Sequence, residues 1–330
     1  MALKFLVLPD PELAADLASE ARRISELSHD NIVGFVDSGT TGSGATFIAM
    51  EFVRGLDLDG LSRLHGVDQP HVLRGEGVFR IPCSIVGFIL FMVCRALHHA
   101  HTRRFSSGEV GLVHRDISPG NILVEKENGF VKLSDFGVAA TVSAAQGEGG
   151  FCGKIAYAAP EVLLGEPVDF RADVYSLGLV AYELMTGFNP NRPLDPAANP
   201  MAQLSHALVN LDEPLVPPCD IVHGASADLS RIVARMLEHE PDRRYTGVDE
   251  LMRDVRGFLY SGGIGPTTDS VRDYLRILED PSVAVDDLMR SGLVFLCEKG
   301  VRDPMVRRPW KLTDHARARL ARGENPARGG

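Results

Sequence analysis

Between residues 114 and 137 the chain carries a polar run, His114-Arg115-Asp116-Ile117-Ser118-Pro119-Gly120-Asn121. The apolar Ile122-Leu123-Val124 comes next, and Asp135-Phe136-Gly137 follows ten residues later. The pattern predicts short strands near 122–125 and 131–134. Phosphoryl transfer requires a carboxylate that orients the acceptor hydroxyl and oxygen ligands for magnesium beside the phosphates. Asp116 is suited to the first task, and Asn121 and Asp135 to the second. One such tripeptide alone is weak, since a polar turn followed by a chance Asp-Phe-Gly has the same letters. The ordered combination carries the weight.

The rest of the chain fits a folded protein. Its 330 residues are 45% hydrophobic and 24% charged, which excludes a disordered composition. A net charge of −10 argues against a general nucleic-acid binder. The five cysteines form no CxxC pair, so neither a disulfide framework nor a zinc knuckle is expected, and a cytoplasmic location fits. The apolar run from Ile81 to Cys94 is too short to span a membrane and contains Pro82 and Ser84. It reads as a buried helix, and no membrane partner is expected.

Strands are expected over 1–8, 32–37 and 46–53, with a helix over 11–27 and a turn in Ser38-Gly-Thr-Thr-Gly-Ser-Gly44. From about residue 82 the pattern is mostly helical, interrupted by a loop near 103–121 and a Gly-rich loop at 147–153. A small strand-rich part followed by a larger helical part is an α+β order.

HRDxxxxN followed by DFG resembles the protein kinase superfamily. Ala159-Pro160-Glu161 resembles the end of its activation segment. Asp173-Val174-Tyr175-Ser176-Leu177-Gly178 resembles the start of the long buried helix of its large lobe. Arg244 matches the basic partner of Glu161, and this pair is typical of protein kinases rather than small-molecule kinases of similar fold. The resemblance covers residues 1–259 and is nearest to bacterial kinases of eukaryotic (Hanks) type. It implies a two-lobed fold, with a partial N-lobe over 1–53 and a C-lobe over 54–259. Residues 260–330 read as a linker and an extension of unknown role.

The resemblance also implies a nucleotide site for ATP and Mg2+ and a protein substrate with a Ser or Thr acceptor. Met1-Ala2-Leu3-Lys4 resembles the V-A-I-K strand, so Lys4 matches the phosphate-binding lysine and Glu20 its ion-pair partner. Phe47 to Val53 resembles the strand and hinge joining the lobes. Met50 then lies behind the adenine, the backbones of Glu51 and Val53 meet its edge, and Asp57 meets the ribose. Ala2 and Leu123 sandwich the base.

Two departures stand out. The family's glycine-rich loop precedes the V-A-I-K strand, which here begins at residue 1. The favoured reading is a true start upstream of Met1. The alternative is a shortened relative acting as a pseudokinase-like scaffold. Either way, the chain as given is expected to bind ATP weakly. The second departure pairs Ser118, where the family usually has Lys, with Lys154, where it usually has Thr. A compensating exchange makes both part of the catalytic set. For regulation, Arg115 is of the kind that docks a phosphorylated activation loop, with Thr141, Ser143 or a fixed charge at Glu148 as its partner.

Cys152 reads as inert, and His98, His99 and His101 as packing or surface residues rather than zinc ligands. The stretch from Lys299 to Arg328 holds nine Lys/Arg against three Asp/Glu. It faintly resembles part of a winged-helix DNA-binding domain, and a solvated helical extension is the preferred reading.

Overall fold

The computed structural model describes residues 1–6, 21–42, 45–64, 81–136, 155–193, 198–209, 211, 213–261 and 265–279, with the single residues 318 and 322. Two three-stranded antiparallel sheets and a helical body make up these residues. The first sheet contains β1 (Ala2–Leu6), β2 (Phe35–Thr40) and β3 (Thr46–Met50) in the order β1-β3-β2. Its register sets Ala2 opposite Met50 and Lys4 opposite Ile48.

β2 starts three residues later than expected and runs to Thr40, because Ile32 and Val33 are committed elsewhere. Ile32 bridges Leu133, and the Val33 N–H donates to the Leu133 carbonyl at 2.9 Å. Ser38, Gly39 and Thr40, expected in the turn, therefore belong to β2, and the Thr41 N–H donates to the Ala45 carbonyl at 2.8 Å. Of the helix expected over 11–27, a helical turn at 21–25 is described. Ala21, Ile24 and the following Leu27 are buried, the spacing of one helix face.

The second sheet has the order β4-β5-β6, with β4 (Gly55–Asp57), β5 (Ile122–Glu125) and β6 (Val131–Leu133). At three residues, β4 is too short to show an alternating pattern in sequence. Its pairing sets Asp57 opposite Leu123.

The helical body is built from α1 (Leu58–Leu64), α2 (Cys83–Thr102), α3 (Pro160–Leu163), α4 (Phe170–Thr186), α5 (Pro200–Val209), α6 (Pro218–Ile221), α7 (Ala227–Met236), α8 (Val248–Tyr260) and α9 (Thr268–Glu279). α2 holds the apolar run. It has the length and hydropathy of a membrane span, yet most of it is buried within the fold. Ile85, Ile89, Val93 and Leu97, each four apart, are at most 1% exposed. Burying such a side chain contributes about 1.5–3 kcal/mol. Gly87 lets α8 pack closely, since a Cβ there would come within 2.8 Å of the Phe258 ring.

α4 is capped at both ends. Asp169 accepts from the Arg171 N–H, and Gly187 closes the helix at φ 77°. The Arg244 guanidinium donates to both Glu161 carboxylate oxygens at 2.7 and 2.8 Å, with both side chains buried.

Past residue 260, the described residues 265–279 still pack on this body. α9 contributes Val271, Tyr274 and Leu275 to the same core, each at most 1% exposed. The region 103–121, expected as a loop, contains a small hairpin bridged between Arg104 and Val110 and a 3-10 turn at Pro119–Asn121.

Candidate active site

The polar run 114–121 hangs between α2 and β5, and buried Asp173 near the start of α4 organises it. The N–H groups of His114 and Arg115 donate to the two Asp173 oxygens at 2.8 and 2.9 Å, and His101 meets the same carboxylate at 2.8 Å. Burial opposes ionisation of Asp173, but the bond from His101 and the backbone N–H donors outweigh it and hold its carboxyl below the usual range. His101 is thus a structural partner of the site. Sequence spacing placed it on a helix face but gave no sign of an acid 72 residues away.

His114 is fully buried, and burial holds its pKa below the ordinary value. Its bonds agree with a neutral ring: the Asp116 N–H donates to Nδ1 at 3.2 Å, and Nε2 faces the Ser134 carbonyl at 2.8 Å. The ring also packs on Phe136, centroid to centroid 4.5 Å. One imidazole therefore joins the Asp116 loop to the Ser134-Asp135-Phe136 turn.

Asn121 makes the second link. Its side-chain Nδ2 donates to the Asp116 carbonyl at 2.7 Å and to Asp116 Oδ2 at 2.9 Å. Its carbonyl accepts from the Ser134 N–H at 2.9 Å and from Ser134 Oγ at 3.1 Å. Asp116, Asn121 and Asp135 are therefore brought to one place, as their pattern in sequence suggested. Lys4 reaches the same place from β1: its Nζ lies 2.8 Å from Asp135 Oδ1.

Two backbones here are left-handed, Arg115 at φ 63° and Asp135 at φ 60°. Each costs about 1–3 kcal/mol and persists only where the surroundings enforce it.

The donor set suits magnesium. Both Nδ2 bonds of Asn121 point to Asp116, which leaves its amide oxygen, with the Asp135 carboxylate, as hard oxygen ligands. Two protein oxygens suffice for an ion that keeps waters and takes phosphate oxygens.

Around this centre, Ala2 lies across from Met50, and Met50 lines a small apolar cavity with Ile24, Val33, Phe35, Ile48, Leu133, Asp135 and Phe136. Glu51, expected at the hinge, is held by its side chain, which accepts from Lys132 Nζ at 2.8 Å to both oxygens and from the Gly34 N–H at 3.1 Å. Burial opposes its ionisation, but these bonds prevail and lower its pKa. Among the described residues, the Glu51 carbonyl and the Val53 N–H have no backbone partner. Asp57, expected at the ribose, uses Oδ1 to accept the Gly60 N–H at 2.6 Å and so starts α1. Leu123 lies between Asp57 on β4 and Lys132 on β6. The Ser118 carbonyl closes the 3-10 turn on the Asn121 N–H at 3.1 Å. Glu20, Lys154, Gly137, Thr141, Ser143, Glu148 and Cys152 lie outside the described residues, so the Lys4–Glu20 pair and the Ser118–Lys154 exchange have no geometry to report.

The sequence profile of the protein kinase domain matches residues 1–255. The chain is 35% identical over 244 residues to the serine/threonine-protein kinase Pkn1 of Myxococcus xanthus, covering 72% of this chain and 31% of that protein. It is 32% identical over 272 residues to the serine/threonine-protein kinase PknJ of Mycobacterium tuberculosis, covering 79% and 41%. It thus spans about a third of the length of such relatives. Among solved structures, the PknI kinase domain of Mycobacterium tuberculosis superposes with a TM-score of 0.53 at 27% identity, over 77% of this chain and 84% of that one. The chain belongs to the protein kinase family, with bacterial Ser/Thr kinases among its relatives.

Proposed function

We propose that the chain transfers the γ-phosphoryl group of ATP to a Ser or Thr hydroxyl of a protein. One observation carries this reading: Asp116, Asn121 and Asp135 are linked through the Asn121 amide and Ser134, with the Lys4 ammonium against Asp135. Asp116 accepts the hydroxyl proton as the oxygen–phosphorus bond forms, and the bond from the γ-phosphorus to the β–γ bridging oxygen breaks, releasing ADP. Asn121 Oδ1 and Asp135 would hold Mg2+, which would neutralise phosphate charge when bound. Lys4, steadied by Glu20, grips the phosphates and exchanges its contact with Asp135 for them. The base lies between Ala2 and Leu123 with Met50 behind it, its edge against the backbones of Glu51 and Val53. Asp57 meets the ribose hydroxyls, and Ser118 and Lys154 complete the acceptor side.

The test is phosphotransfer from labelled Mg-ATP to a generic protein acceptor, beside Asp116→Asn. Loss of a positioned base costs about a hundredfold or more in kcat, and Mg-ATP affinity should change little. Bound Mg-ATP without turnover in the unaltered chain would overturn the enzyme reading in favour of a nucleotide-binding scaffold.

A further inference from the structure

The hairpin between α2 and the catalytic run is closed by its own backbone hydrogen bonds and is attached to a segment far earlier in the chain. Phe105 anchors it at 3% exposure. The Phe105 N–H meets the Glu109 carbonyl and the Gly108 N–H the Phe105 carbonyl, both at 2.9 Å, and Gly108 turns at φ 91°. From its tip, the Ser106 N–H and Oγ donate to the two oxygens of Glu26 at 2.9 and 2.5 Å. Arg23 Nη1 faces Glu109 Oε2 at 3.6 Å. Arg23 and Glu26 belong to the helical turn 21–25 and the residue after it, eighty positions earlier in the chain. Between them is Ile24, which lines the same cavity as Phe136 and Asp135.

We propose that this hairpin is a clamp. Ser106 and Glu109 hold Glu26 and Arg23, and through Ile24 they fix Phe136 and hence Asp135. Glu26 and Ser106 are thus positioning residues for the phosphoryl-transfer centre. The contact is specific in form, because a carboxylate takes two donors from one residue at a turn whose backbone is already closed. The inference rests on the reading of Asp135 as a magnesium ligand. It assigns to residues 103–111 the task of setting how Asp135 meets the ion.

The test opposes charges at the clamp. Ser106→Glu sets two carboxylates against each other, and Glu26→Lys combined with Ser106→Glu restores an attraction with reversed sign. Two measurements are made on the full chain: amide hydrogen exchange over residues 21–27, and the Mg2+ concentration for half-maximal phosphotransfer. With Ser106→Glu, exchange over 21–27 should quicken and the Mg2+ midpoint should rise about fivefold, within the usual range of coupling between sites. The double variant should bring both back to within about twofold of the unaltered chain. Ser106→Ala, which keeps the backbone donor, should move both in the same direction by less, and it serves if the Glu variant does not fold. A merely structural contact would lower the amount of active protein and leave the Mg2+ midpoint in place, and that result overturns the clamp. So does unchanged exchange over 21–27. If the unaltered chain shows no turnover, the kinase reading fails on its own, and exchange over 21–27 with and without Mg-ATP decides the clamp.

Discussion

At the residue scale, much depends on groups that carry no chemistry themselves. Asp173 satisfies two consecutive backbone N–H groups and His101, and one of those residues, Arg115, is left-handed. Asp173→Asn replaces one acceptor oxygen by a donor and so orphans a buried N–H. The cost should be about 1–3 kcal/mol, read as a lower urea midpoint with little change in slope, and phosphotransfer should fall with it. His114 gives a pH signature. Burial keeps its ring neutral in the folded chain, whereas an unfolded His titrates near 6.5. Below that pH the unfolded chain binds a proton that the folded chain excludes, so stability present at pH 7.5 is lost as pH falls through about 6.5 towards the folded value. Burial lowers His29 and His99 in the same direction. Thermal midpoints should therefore drop between pH 7.5 and 5.5. The drop should be shallower in His114→Gln, by up to about 1.4 kcal/mol per pH unit for the one proton removed. An equal slope in both proteins would place the acid sensitivity elsewhere.

At the element scale, the site was legible where the sequence names its groups in order, and illegible where contacts span the chain. Asp116, Asn121 and Asp135 could be read because the first two stand five apart in one polar run and the short strands β5 and β6 separate that run from Asp135 at a recognisable spacing. The Glu161–Arg244 pair could be read from two motifs 83 residues apart. The clamp between Ser106 and Glu26 could not, since neither a lone Ser in a turn nor a Glu at a helix end announces its partner. β4 was missed because three residues carry no period, and β2 was placed three residues too early because pairing of Ile32 and Val33 with Leu133 competes with local propensity.

The Arg244 pair sharpens into a prediction. Its guanidinium uses all five donors: two on Glu161, and one each on the Glu238, Arg171 and His239 carbonyls through Nε, Nη1 and Nη2. Lysine offers a single point charge and cannot reproduce that fork. Arg244→Lys should cost about 3–5 kcal/mol, the range for breaking a buried pair. Arg243→Lys, at the adjacent exposed position, should be near neutral by the same denaturation measurement.

At the scale of the whole molecule, the question is where the folded unit ends. The family profile stops at residue 255, and the Gly/Pro-containing stretch after residue 260 reads as a linker in sequence. Packing carries the unit further. The turn between β5 and β6 approaches α9 so closely that a Cβ on Gly129, at φ 72°, would fall 1.9 Å from the Thr268 carbonyl oxygen. Tyr274 is fully buried, and burial holds its phenol well above its ordinary pKa. A helix seated this way contributes to the same cooperative transition as the rest of the core. Tyr274→Ala should therefore cost about 3–5 kcal/mol, the scale of emptying a large buried aromatic site, and it should lower one shared unfolding midpoint. Gly129→Ala should act in the same direction, since it meets both a forbidden φ and occupied space. If α9 were a separate appendage, Tyr274→Ala would leave the main transition in place and add an earlier, smaller one. Two transitions in that variant, followed by tryptophan-independent circular dichroism and by phosphotransfer activity, would move the boundary back to Tyr260. A single lowered transition would carry it to Glu279, because an element that shares the core must melt with it.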